Sequence, residues 1–424
     1  MSLKKHDREY DIVLLGASGY TGLFTAEHIT KYLPTDLKWA VAGRTASKLQ
    51  NVIEDCQKLN PDRVAPKIEI ASIDSPAELE ALAKKTYILL TTVGPYSQYG
   101  EPVVKACAEN GTHYADVTGE FPWVYDMIKK YEPAAKKSGA CLFPQIGLES
   151  TPPDICTYAL ARKLKTQLGA QTGEVTINFH TLKAAPSGGT VASFLNLFDS
   201  YSIFKIQEAS RPYISSPIPH NEPQRPPTTL SGVYYDPVLG TMSTSITAGV
   251  DASVVERTWG LLHSSLPGRE DEFYGENFTW QELSRTNGWI QGVSKNWAVM
   301  VGSAFLALLP PLRAVLRRVL VQPGLGPSRE SIKKERVEFQ GVAKADGEEF
   351  NGKKAFVRAA WQGGMYDLTA VFLAQAALTL LRDDNNGELG LKGGFYTPAC
   401  LGQGFIDRSI ERGFTLEVKM VEDS

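Results

Sequence analysis

Between residues 10 and 144, short unbroken apolar runs alternate with longer segments whose apolar positions recur every three or four residues. The unbroken runs suit strands buried on both faces, and the longer period marks amphipathic helices. The pattern predicts six strands, at 11–15, 38–42, 67–72, 87–92, 113–117 and 140–143. Five helices are predicted near 21–31, 45–59, 76–84, 101–110 and 123–137. Strand and helix in alternation, with short connections, imply a parallel sheet covered by helices on both faces. Such sheets bind ligands beyond the carboxyl ends of their strands, where the strand order reverses. The loops after Leu15, Ala42, Thr92 and Val117 are therefore the ones to read for chemistry.

After Gly147 the pattern changes. Residues 174–182 alternate as a half-buried strand, 188–204 reads as a helix opened by SGGT, and the proline-rich stretch 211–227 reads as a loop or lid. Residues 233–250 and 337–359 look antiparallel, with a hairpin at 340–353 around Ala345-Asp346-Gly347. A long apolar helix at 365–381, a second helix at 402–412 and a strand at 415–418 close the chain. At 424 residues the chain exceeds what one core normally supports. The expected fold class is α/β. A doubly wound parallel-sheet (Rossmann) domain is expected over 1–147, an α+β domain with a mostly antiparallel sheet over 148–385, and a return packing on the first domain over 386–424.

A net charge of -3 gives no broad basic field, which argues against nucleic acid as the partner. Five widely spaced cysteines form no C-x-x-C pair and suggest a reducing, intracellular setting. The charged start, MSLKKHDREYD, lacks the apolar core of a signal peptide. No run reaches the roughly 18–20 apolar residues of a spanning helix. Residues 297–312 are nevertheless uncharged and precede Arg313, Arg317 and Arg318. They read either as a buried helix with a solvated arginine face or, with the segment to 321, as an interfacial hairpin or door for an apolar substrate.

The chemistry concentrates at the strand ends. IVLLGASGYTG, at 12–22, sets a strand against a glycine turn and a helix start. Gly16 permits the turn, Gly19 lets backbone approach a pyrophosphate, and Gly22 lets helix pack on strand. The ligand's charge is expected at the helix N-terminus. At the end of the second strand, where an acidic residue would bind a ribose 2′-hydroxyl, the chain has Gly43, Arg44 and Thr45. A guanidinium there suits a 2′-phosphate, which favours NADP over NAD. In the loop TTVGPYSQYG, Gly94 and Pro95 turn the chain out of the sheet, and Tyr96 reads either as a proton donor or as a ring filling the domain cleft. Asp116 and Glu120 bracket the next turn, as acid or base or as turn-capping oxygens. Glu149 stands at the crossing into the second domain, before a helix start at Ser150-Thr151-Pro152. The six histidines show neither metal spacing nor a serine elbow.

GASGYTG, WAVAGRTASKL, TTVGPYSQYG, HYADVTGE and the closing GGFYTPACLGQGFIDRSIERG together resemble the saccharopine dehydrogenase-like oxidoreductases over nearly the whole chain. The resemblance implies a Rossmann domain with an inserted α+β substrate domain. It also implies cofactor roles for Gly16, Ser18, Gly19, Tyr20, Thr21, Gly22, Arg44 and Gly94. That family includes trans-acting enoyl reductases that serve polyketide synthases, and members associated with lipid droplets and membranes. The chain departs from the family at the domain crossing, with Glu149-Ser150-Thr151-Pro152 in place of an aspartate and a serine-isoleucine-proline run. The basic cluster that an amino-diacid substrate needs is not legible either.

The expected function is NADPH-dependent reduction of an activated double bond, enoyl C=C foremost, in a small apolar or lipid-like substrate. Tyr96, Asp116 or Glu149 would supply or relay the proton. The alternatives are imine reduction of a saccharopine-like amino acid and a non-catalytic lipid-droplet or membrane protein that keeps the cofactor fold. Cytoplasmic placement, peripheral contact with lipid through 297–321 and a homodimer are compatible with these readings.

Overall fold

A computed structural model describes residues 3–221, 229–320, 326–383, 387 and 389–421. Fourteen strands are described: β1 (Tyr10–Leu15), β2 (Trp39–Gly43), β3 (Lys67–Ile70), β4 (Thr86–Thr91), β5 (His113–Asp116), β6 (Cys141–Phe143), β7 (Thr172–Lys183), β8 (Val233–Asp236), β9 (Gly240–Thr244), β10 (Thr279–Arg285), β11 (Arg336–Ala345), β12 (Lys354–Gln362), β13 (Gly394–Phe395) and β14 (Thr415–Met420). They form two sheets of seven, ordered β13-β6-β5-β4-β1-β2-β3 and β14-β12-β11-β7-β10-β9-β8.

The first sheet is parallel throughout. β1 lies between β2 and β4, so the strand order reverses beside it and opens a crevice at the carboxyl edge. The apolar residues Ile12 to Leu15 are buried on both faces of the sheet, as an inner parallel strand requires. In the second sheet only the pair β7 and β10 is parallel. The helix Thr151–Leu168 covers one face of that sheet, packing on β7, β11, β12 and β14.

Two expectations in the second domain change. The antiparallel reading of 233–250 holds only to Thr244, because a helix, Ala248–Ser264, begins at once. Its Val254, Val255, Trp259 and Leu262 recur at helical spacing and are buried. The helix expected over 188–204 is two, Gly188–Ser200 and Ile203–Ala209, and Ser202 caps the second by accepting from the Lys205 N–H. The expected 211–227 loop is irregular as far as residue 221, and 222–227 lie outside the described residues.

The C-terminal return also differs from the 386–424 boundary. The helix Met365–Arg382 already packs on Tyr20–Tyr32, β4 and β5, and its burial all round explains why it lacks a polar face. β13 then extends the first sheet beside β6, but β14 joins the second beside β12, so the tail stitches both sheets together.

The uncharged segment forms the end of one helix, Trp289–Leu308, and turns by 103° into Pro310–Leu320. No single described helix is long and apolar enough to cross a membrane. Position 321 lies outside the described residues.

Candidate active site

The glycine turn after β1 is built too tightly for side chains. Gly16 has φ +87°, and a Cβ there would come within 2.7 Å of Val93 Cγ2. A Cβ on Gly22 would lie 2.2 Å from the Gly16 carbonyl oxygen and 2.9 Å from Ala17 Cα. The Gly19 N–H donates to the Gly16 carbonyl at 2.9 Å, closing the turn. The helix Tyr20–Tyr32 then starts from Gly19 with no side-chain cap, leaving the first-turn N–H groups of Tyr20, Thr21 and Gly22 for an anion. Ser18 is exposed at the rim. Arg44, at the carboxyl end of β2, is exposed and has no side-chain partner among the described residues; Thr45 caps the next helix without a side-chain hydrogen bond. Backbone cradle, free helix end and free guanidinium fit the pyrophosphate and 2′-phosphate of NADP(H).

Tyr20 sits differently from the others. Its hydroxyl donates to the Pro327 carbonyl at 2.6 Å, and its ring meets Tyr366 edge-on at 4.9 Å. Tyr366 in turn accepts from the Ser187 N–H at 2.5 Å. Tyr20 thus couples the cofactor turn to segments of the second domain.

The loop after β4 is held from below by Glu120, which is buried. One of its oxygens accepts from the Tyr96 N–H at 2.7 Å, and the other from the Ser97 N–H at 3.1 Å and from the Ser97 hydroxyl. From above, the helix Gly188–Ser200 closes on the same loop. Asn196 Nδ2 donates to Ser97 Oγ at 2.7 Å, and Gln98 Nε2 donates to Asn196 Oδ1 at 2.6 Å. Gly94 is exposed beside this junction, with Pro95 half-buried.

The three residues considered for proton transfer have different surroundings. Tyr96 is only 4% exposed, and its hydroxyl donates to the Thr91 carbonyl at 3.0 Å, joining the end of β4 to the turn after it. Burial, then the Asp116 charge, push its pKa well above the usual phenol value. Asp116 is fully buried. It accepts from Tyr114 Oη at 2.6 Å and from the Thr118 and Gln145 N–H groups, both at 2.9 Å. Burial pushes its carboxyl up to about 6 against the pull of these donors. Its oxygens therefore tie β5 to the loop after β6, a turn-holding role. Gln145, which completes that junction, holds a left-handed φ of +64°.

Glu149 is the acid with a free end. It is half-buried, without a hydrogen-bond partner among the described residues, and so close to Gly119 that a Cβ there would meet its Oε2 at 2.7 Å. Burial, then the charge of Glu282, raise its pKa. That neighbour was not legible in the sequence. Glu282 lies on β10, and its Oε1 accepts from Ser245 Oγ at 2.5 Å and Thr247 Oγ1 at 2.6 Å. Asp251, in the first turn of Ala248–Ser264, adds a third carboxyl, with both oxygens buried and unpaired. A capping threonine and an aspartate four residues on, ahead of the Val254-Val255-Trp259 period, were the available sign of that helix start.

Comparison with known proteins gives the family and the fold. Residues 12–142 match the model of the saccharopine dehydrogenase NADP-binding domain. A protein named trans-acting enoyl reductase from Mycobacterium leprae is 30% identical over 431 residues, covering 96% of this chain and 97% of that one. Another of that name, from Mycobacterium tuberculosis, is 30% identical over 424 residues, with coverage of 93% and 94%. The apo saccharopine dehydrogenase (L-Glu forming) of Saccharomyces cerevisiae shares the fold, at TM-score 0.54 and 13% identity, over 97% of this chain and 99% of that one. The chain is an NADP(H)-binding oxidoreductase, and it belongs to the saccharopine dehydrogenase-like family.

Proposed function

We propose that the protein is an NADPH-dependent reductase that adds hydride and proton across an activated C=C bond of an apolar, lipid- or polyketide-like substrate. Kinship supports the enoyl chemistry, since relatives carrying that name align over nearly the full chain. The apolar substrate rests on one observation, the surface beside the loop after β4. The helix Gly188–Ser200 brings Ser193 to Gly94 and carries Phe194 and Phe198, packed edge to face at 5.7 Å. The bent helix pair joins it through Asp199, which binds Arg313 Nε at 2.6 Å and Arg317 Nη2 at 2.5 Å. That pair leaves Trp297, Met300, Phe305 and Leu308 at least half exposed, so apolar surface runs from the outside toward the loop.

NADPH, when bound, supplies the hydride. The turn at 16–22 holds its pyrophosphate, and Arg44 pairs with its 2′-phosphate. Glu120 and Asn196 fix the loop after β4, and Glu149 holds the proton for the substrate carbon at its carboxyl group. Tyr96 and Asp116 act as positioning residues. The exposed apolar face favours a second property, seating of the hairpin on a lipid surface. Anaerobic NADPH oxidation with a panel of enoyl thioesters tests the reading. Turnover is expected; turnover only with an amino acid and aldehyde pair would indicate imine reduction, and binding without any turnover would indicate a non-catalytic role.

A further inference from the structure

The carboxyl cluster that includes Glu149 holds three acceptor oxygens without a hydrogen-bond partner among the described residues. Both oxygens of Asp251 and Oε2 of Glu282 are buried without a hydrogen-bond partner. Asp251 is wholly buried and Glu282 is 4% exposed. Desolvation and mutual repulsion both disfavour two charged carboxylates in such a place. A single proton removes one charge and satisfies an orphaned oxygen on each side. The groups facing the pair come from separate elements. Ser245 and Thr247, from the segment before the helix Ala248–Ser264, hydrogen-bond Glu282, while Glu149 at the crossing loop and Lys295 on Trp289–Leu308 lie within reach of its charge. Lys295 is the one cation among them; it is half-buried, and burial lowers its pKa.

We infer that Asp251 and Glu282 share one proton at neutral pH and form the store from which Glu149 is reprotonated. Reprotonation rests on the proposed reduction, whereas the shared proton does not. The step balances. As hydride reaches one alkene carbon, a C–H bond forms at the other and the Glu149 O–H bond breaks. The carboxylate left on Glu149 takes the proton of the pair as the pair takes another from water, so Asp251 and Glu282 are not left charged together. The pair titrates as a unit, so neither residue has a pKa of its own. Asp251 and Glu282 are positioning residues by this account, because neither touches the reacting carbon.

Two readouts test the inference on the full-length protein. Wild-type-minus-variant infrared spectra at pH 8 should show the loss of one protonated-carboxyl C=O band in both Asp251→Asn and Glu282→Gln. If no C=O band is lost on either substitution, the shared proton is overturned whatever substrate the enzyme uses. In turnover with an enoyl thioester, each variant should lose about 10- to 100-fold in kcat, less than the roughly 10²–10⁴ carried by a general acid itself. NADPH affinity should be unchanged and the basic limb of the pH profile displaced. If either variant binds NADPH normally and keeps both kcat and pH profile, the route to Glu149 is refuted. If no enoyl compound turns over while the band behaves as expected, the substrate reading fails and the shared proton stands.

Discussion

Replacing Gly22 with alanine should disable the cofactor turn at little cost to the fold. The added Cβ would sit 2.2 Å from the Gly16 carbonyl oxygen and 2.9 Å from Gly16 C and Ala17 Cα, all backbone atoms that no rotamer change can move aside. Ordinary contact begins near 3.4 Å, so helix and turn must separate by about 1 Å, an overpacking strain typically costing 1–3 kcal/mol. Alanine in a helix returns about 1 kcal/mol relative to glycine. The net loss of stability is therefore modest, roughly 0–2 kcal/mol. The displacement, however, falls on the N–H groups meant for the pyrophosphate, and a loss of about 1.4–2.8 kcal/mol there means 10- to 100-fold weaker binding. NADPH fluorescence titration, paired with urea unfolding, measures both quantities. Gly43→Ala serves as control, since its Cβ would meet only Leu49 methyl carbons, at 3.6 and 3.9 Å. If Gly22→Ala binds NADPH within twofold of wild type, the turn does not hold the pyrophosphate as described.

Three further outcomes follow from other parts of the molecule. Arg44→Ala should weaken NADPH binding by about tenfold while leaving NADH nearly unchanged, one exposed charge-assisted contact being worth roughly 1–2 kcal/mol; equal losses for both cofactors would remove the 2′-phosphate assignment. Phe305→Glu combined with Leu308→Glu, at positions 52% and 67% exposed, should abolish co-flotation with anionic phospholipid vesicles without altering the melting temperature; a wild type that stays at the bottom of the gradient rejects the lipid contact. His113 is buried, its pKa is pushed down to about 3 by burial, and its Nδ1 accepts from the Cys141 N–H at 3.0 Å. The unfolded state takes up a proton below about 6.5 and the folded state does not, so this residue's contribution falls as pH drops, by about 2 kcal/mol at pH 5. Urea unfolding of wild type and His113→Gln at pH 7 and pH 5 isolates that term, and parallel pH dependence would contradict it.

Six strands of the first sheet were legible because inner strands such as β1 and β4 are apolar runs and the turns after them carry their own punctuation, Gly16 and Gly94; β13, two residues long, gave no pattern. The second domain was less so. Residues 233–250 alternate well enough to suggest strand throughout, and only the burial of Val254, Val255 and Trp259 against the second sheet settles the helix that begins at Ala248. Residue type also hides direction. Tyr96 and Asp116 occupy the right strand ends, yet tertiary packing turns their oxygens inward, onto the Thr91 carbonyl and the Thr118 and Gln145 N–H groups. Glu149 was visible as a polar residue at a domain crossing, but the carboxyls whose charge reaches it, Asp251 and Glu282, lie 102 and 133 positions away, beyond any local pattern.

The most direct test of the central claim is the fate of the hydride. With NADPH carrying deuterium at the transferable C4 position and an apolar enoyl thioester as acceptor, the account predicts one deuterium at the β-carbon of the saturated product and a solvent proton at the α-carbon. Deuterium retained in the cofactor with every enoyl compound, or found only on a carbon bonded to nitrogen, would contradict it.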